Sequence, residues 1–161
     1  MTVTLLISVA MAAAGVLWAQ SQKGFGPLES VSGIAYRMPK WLFTSWAMMV
    51  GIFLMPGVFG ALPDEWRFLG FLMVAGVGLV AITASYKEEH RVLHYVGAVV
   101  AFLLATVVTA VVRPWCLVAW VAFALVFKID IDNYDLTVEI RRNWLLVAEV
   151  LCYLCLVASI I

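Results

Sequence analysis

Charged side chains fall in this chain as punctuation between long apolar runs, and that spacing decides what it can fold into. No Asp, Glu, Lys or Arg occurs in 1–22, 41–63, 68–86, 92–112 or 114–127, and a sixth run, 143–161, is interrupted once, by Glu149. A helix crossing a hydrocarbon core of roughly 30 Å needs about 20 apolar residues. Five of the six runs meet that length, whereas the run 114–127 would rise only about 21 Å as a helix. It crosses if Lys128 snorkels and the helix runs on through Ile129 and Ile131; a re-entrant hairpin is the alternative.

Composition points the same way. Of the 161 residues, 65% are hydrophobic and 12% charged, against about 25% charged in ordinary soluble domains. The expectation is an all-α fold: a polytopic membrane helix bundle of six transmembrane helices with no soluble domain. It forms a single transmembrane domain over 1–161, with spans near 3–19, 41–62, 68–85, 92–112, 114–131 and 143–161. Trp18, Trp41, Trp66, Trp115 and Trp144 fall at the ends of these spans, as an interfacial aromatic belt requires. The first run has no basic residue before its apolar core and no clean small-x-small site, so it reads as a retained span rather than a cleaved leader. Two stripes of small residues predict close helix packing: Gly97, Ala101 and Ala105 on span four, and Ala10 and Ala14 on span one.

Net charge is zero, which gives no footing to nucleic-acid binding or to a polybasic surface. Its distribution is uneven. Loops one, three and five carry Lys23, Arg37, Lys40, Lys87, Arg91, Lys128, Arg141 and Arg142; loops two and four carry only Arg67 and Arg113. The positive-inside rule then puts the odd loops in the cytoplasm and both termini outside.

Polar side chains collect at that odd-loop mouth. Ser30, Ser32 and Tyr36 lie in loop one, Asp130 and Asp132 in loop five, and His90 and His94 sit one turn apart where span four emerges. Glu149 stands six residues past Asn143, about 9 Å of helical rise into span six, and an ionisable group inside a span is a site candidate by default. These eight residues are the candidate ligand-binding cluster. Glu149 and His94 have two readings, a polar contact that fixes helices or a general acid–base pair. If Glu149 fixes helices, its donor is expected on the odd-loop side, with His94, Ser32, Tyr36 and Lys128 as candidates.

Complete catalytic and cofactor signatures are missing from the sequence: there is no G-x-S-x-G, H-E-x-x-H, P-loop or dinucleotide fingerprint. The segment "DIDNYDLTVEIR" starts like a calcium loop but has Asp135 at the sixth position and Arg141 at the twelfth, so no calcium sensor is expected. Cys116, Cys152 and Cys155 lie in apolar runs, where they read as small hydrophobes rather than as redox or metal ligands. Neither a metal nor a cofactor is expected.

Two stretches, "GPLESVSGIAYRMPKWLF" and "GLVAITASYKEEHRVLHYVGAVVAF", resemble the six-span Frag/DRAM/Sfk family. Pro27, Ser32 and Pro39 match that family's loop-one motif, and His94, Gly97 and Ala98 match the motif opening its fourth span; Gly33 stands where the family has Asp. The resemblance implies six helices and a lipid-related, non-catalytic role, with cytoplasmic termini, the reverse of the charge count. The function expected is a small multi-pass membrane protein that binds lipid or a membrane partner at its one-sided polar mouth. Membrane lipids are the expected partners, with a second copy or another membrane protein as alternatives and nucleic acid excluded. A lipid-modifying enzyme using His94 and Glu149 is the rival, and a small transporter or channel ranks behind it because spans one to five lack mid-membrane charges.

Overall fold

The computed structural model describes residues 2–84, 89–132 and 143–161, and within them the chain is helical with no strand. The helices are α1 (Thr2–Ser21), α2 (Lys40–Ala61), α3 (Phe68–Thr83), α4 (Arg91–Val112), α5 (Val118–Asp132) and α6 (Trp144–Ile160). Short 3₁₀ turns cover Val31–Tyr36, Asp64–Trp66 and Pro114–Leu117. Helix ends lie within two residues of the expected spans except at α5, which starts four residues after the expected 114 because Pro114–Leu117 winds as a 3₁₀ turn. Loop one is the departure, because its middle winds into a 3₁₀ turn that charge spacing could not reveal. The chain leaves α1 through Gly24, whose φ of 90° only glycine adopts readily.

Among the described residues, four helices are long and apolar enough to cross a membrane: Val3–Ser21, Lys40–Ala61, Asp64–Thr83 and Arg91–Val112. Pro114–Lys128 and Trp144–Ile160 are apolar but shorter. Successive helices alternate in direction, which follows from which ends meet. Leu5, Gly57 and Ile160 pack together at one end, from the start of α1 and the ends of α2 and α6. At the other end, Ala19, Leu28, Ile34, Phe43, Ala84 and Leu146 form a second buried cluster. The ends of α1, α3 and α5 and the starts of α2, α4 and α6 therefore share one end of the bundle.

The tightest seam joins α3 to α4. A methyl group added to Gly76 would lie 2.8 Å from the Ala101 backbone nitrogen, and one added to Gly97 would lie 2.7 Å from Leu79 Cβ. The span-four stripe of small residues is thus a packing seam. The span-one stripe is not: Ala10 and Ala14 are exposed. α1 instead packs through Leu5, Ser8, Gly15 and Ala19, which are buried, and Gly15 makes room for the Trp46 ring. Spacing of alanines missed this face because a larger polar residue and a glycine share it.

Buried polar groups tie helices across the interior. Ser8 Oγ donates to Val50 O at 2.8 Å and accepts from the Tyr153 hydroxyl at 2.8 Å, linking α1, α2 and α6. Trp46 Nε1 donates to Met11 O at 2.8 Å, and Thr44 Oγ1 lies 3.1 Å from Ala81 O of α3. α5 differs from the rest: no described side chain in it is buried. It leans on its neighbours through rings, with Trp120 5.1 Å from Phe102, and Phe123 and Phe127 5.3 and 5.1 Å from Trp144.

Much of the outer surface is apolar. Val92 is 75% exposed and Val3 and Leu17 are each 69% exposed, with Ile52, Phe71, Val99 and Leu125 also over half exposed. The α3–α4 seam gives a direct test. Gly76→Ala should lower stability by about 1–3 kcal/mol through overpacking, seen as a lower thermal midpoint in detergent. Gly78→Ala, whose new methyl would meet only Met48 Sδ at an ordinary 3.6 Å, should be neutral or stabilising by up to about 1 kcal/mol from helix propensity. Equal midpoints for the two variants would remove the seam from the account.

Candidate functional site

Loop one folds back over the ends of α1 and α6 and is tied to both. On the α1 side, Arg37 Nη1 donates to Ala19 O at 2.6 Å and Nη2 to Gly26 O at 2.7 Å. A helix leaves its last carbonyls without intrahelical donors and carries partial negative charge there, so a guanidinium is a favoured cap. Phe25 stacks on the same guanidinium, 5.4 Å from its centre, and Leu28 N–H donates to Gln20 Oε1 at 3.3 Å.

On the α6 side the two segments cap one another. Val31 N–H, at the start of the 3₁₀ turn, donates to Glu149 Oε2 at 2.6 Å. Leu146 N–H, in the first turn of α6, donates to Glu29 O at 3.1 Å. Each helical start leaves amides that its own turn cannot satisfy, and each segment supplies the missing acceptor to the other. Within the turn, Ser30 Oγ accepts from Gly33 N–H at 3.2 Å and lies 3.2 Å from Ser32 Oγ.

Folded in this way, loop one walls an open cleft of about 310 Å³, lined by residues that include Phe25, Gly26, Glu29, Ser30, Tyr36 and Arg37. Leu28 and Ser30 are buried beneath it, while Phe25, Glu29 and Tyr36 are exposed at its rim. The cleft therefore carries one cation, one anion, two hydroxyls and two aromatic rings.

The sequence candidates separate into four groups. Ser30, Ser32 and Glu149 come together at the junction of loop one with α6, and Tyr36 lines the adjoining cleft. His94 is buried on the α3–α4 seam, with Nδ1 3.2 Å from Thr83 Oγ1. Thr83 sends its one hydroxyl proton to Leu79 O at 2.5 Å, so the ring Nδ1–H donates to it. His90 is exposed just before α4. Asp130 and Asp132 fall on the last turn of α5, and their side chains, like all of 133–142, lie outside the described residues.

One donor that the structure gives Glu149 is a backbone amide of loop one, Val31 N–H, on the expected side. The cleft wall was missed at Phe25, Glu29 and Arg37. A basic residue in a short glycine-containing loop after a helix end was the available signal for Arg37. The thiols of "CYLC" point to different neighbours, Cys152 Sγ to Phe102 O at 3.8 Å and Cys155 Sγ to Cys116 O at 3.3 Å. Among the described residues no three His, Cys, Asp or Glu side chains converge as a metal-binding group.

Compared with known proteins, the chain matches no family model, no curated protein and no solved structure at a significant level.

Arg37 is the most exposed part of this construction to test. Arg37→Ala removes two charge-assisted hydrogen bonds, each worth about 1.5–3 kcal/mol when partly shielded. The thermal midpoint should fall clearly, and Arg37→Lys should recover only part of the loss because a point charge cannot reach both carbonyls as a planar fork does. Full recovery by Lys would show that charge alone, and not the fork, holds loop one.

Proposed function

We propose that this chain is a six-span membrane protein that binds lipid at the cleft of loop one without turning over a substrate. The observation that carries the reading is the contrast between the two surfaces. The flanks of the bundle expose large apolar side chains from α1 to α5, far beyond the few hundred Å² a soluble monomer leaves bare. The odd-loop end instead builds a polar cleft at the level of the exposed Trp18 and Trp41, where headgroups lie.

The non-catalytic part of the reading is supported by what the mouth does with its ionisable groups. Glu149 accepts a backbone amide, His94 donates to a threonine of the neighbouring helix, and both contacts hold elements together. The resemblance of loop one and the start of α4 to the Frag/DRAM/Sfk family favours the same lipid-related role. In this reading α5 and α6 also cross, with Lys128 reaching the interface, and the excess of Lys and Arg in the odd loops places the cleft on the cytoplasmic face.

Site-directed labelling tests the topology. In a background lacking Cys116, Cys152 and Cys155, cysteines at Lys23 and Arg91 should be labelled from the cytoplasmic side and cysteines at Asp64 and Trp115 from the other. Labelling of Lys23 and Asp64 from one side would end the alternating-span reading. Binding is tested by mass spectrometry of the protein purified in mild detergent, which should retain phospholipid through extensive washing. A lipid-free preparation that instead retains a second membrane protein would move the cleft to partner binding.

A further inference from the structure

Cys155 of α6 aims its thiol at the turn that carries Cys116, and from this we infer that the two cysteines are a disulfide-forming pair that fastens the start of α5 to α6. The inference goes beyond lipid binding. It concerns the even-loop end of the bundle and needs no occupant in the cleft.

Contact comes first. Cys155 Sγ donates to Cys116 O at 3.3 Å, although 39 positions separate the two residues in the chain. Bond lengths then keep the two Cα atoms at most about 8.5 Å apart, close to the roughly 4.4–6.8 Å that disulfides span. The Cys116 thiol also lies within electrostatic reach of Cys155. The turn Pro114–Leu117 packs on α6, and Arg113 just before it donates from Nη1 to Ala158 O at 3.2 Å. A small shift that closes the remaining gap is cheap here, because no described side chain of α5, the helix that follows the turn, is buried. Cys152 is placed otherwise: its Sγ donates to Phe102 O of α4 at 3.8 Å.

Access sets the order of events. Cys116 is half-buried beside Trp115, which is 69% exposed, whereas Cys155 is buried. A small-molecule disulfide therefore meets Cys116 first. The Cys116 thiolate attacks one sulfur of that oxidant, the oxidant's S–S bond breaks, and one thiol departs with the proton that Cys116 gave up. Cys155 then attacks the Cys116 sulfur of the mixed disulfide, and the second thiol leaves with the Cys155 proton. Two protein thiols are oxidised and one oxidant disulfide is reduced. On the proposed topology this end lies outside the cytoplasm, in the kind of compartment where such bonds persist.

The bond closes the chain from Cys116 to Cys155 into a loop that contains all of α5. Closing a loop of that length restricts the unfolded chain. It also supplies α5 with a firm tie that its ring contacts to Phe102 and Trp144 do not.

The test uses the full chain in mild detergent, reduced, treated with oxidised glutathione, alkylated with N-ethylmaleimide and digested without further reduction. Peptide mass spectrometry should find Cys116 joined to Cys155 and Cys152 alkylated. Cys152→Ala should form the same bond, while Cys116→Ser should leave Cys152 and Cys155 both alkylated. Oxidation should raise the wild-type thermal midpoint by about 5 °C or more, the scale expected for closing such a loop, and Cys155→Ser should show no rise. Three alkylated cysteines after oxidation, a glutathione adduct persisting on Cys116, a Cys152–Cys155 bond or a reducible dimer through Cys116 would each overturn the pairing. A joined pair with an unchanged midpoint would overturn its role as a fastening.

Discussion

Glu149 reaches from α6 to the amide of Val31, 118 residues earlier in the chain, while the Glu29 carbonyl receives the amide of Leu146. These two bonds do more than join distant segments. The start of a helical turn exposes amides that need acceptors, and a buried amide left without one costs about as much as a lost hydrogen bond. Loop one can wind into its 3₁₀ turn because α6 supplies a carboxylate, and α6 can begin where it does because loop one supplies a carbonyl. The cleft, the buried serines and the exposed rim all inherit their positions from that exchange.

The bundle beneath works on a different principle. Large apolar side chains are exposed on its outer surface as well as buried inside, so hydrophobic character alone does not choose which faces meet. Small residues and polar ties make the choice. Gly76 and Gly97 let α3 and α4 approach until backbone touches backbone, and Ser8, Tyr153, Thr44 and Trp46 place hydrogen bonds between helices. Among its described residues, α5 shows neither device. It rests on Trp120, Phe123 and Phe127 against Phe102 and Trp144, which explains why its described side chains stay accessible.

Among the described residues, the approximate limits of the six α-helices were legible because charges are costly inside apolar runs and so mark their ends. The span-four stripe was legible because glycine and alanine recur at one-turn spacing on a face that also bears His94. The span-one stripe misled because alanine is equally at home on an exposed helix face, and the packing face there is set by Ser8 and Gly15. Glu149 was legible as a polar residue inside an apolar run, but its bond to the Val31 amide was not, since backbone amides leave no signature in residue type. For the same reason the cleft was only half legible. Ser30 and Tyr36 stand out as polar residues, whereas Arg37 looked like one more topological charge until its carbonyl partners fixed it against α1.

If loop one is held as a platform by its exchange with α6, its amides should be slow to exchange with solvent, and one substitution should release them selectively. Hydrogen–deuterium exchange of the protein in lipid nanodiscs reads this directly. The account predicts protected amides at Val31 and Gly33 in the wild type. Glu149→Ala should accelerate those amides by about tenfold or more, a loss of about 1.4 kcal/mol or greater, while the α3–α4 seam keeps its protection. Rapid exchange of Val31 in the wild type, or equal protection in Glu149→Ala, would contradict the account.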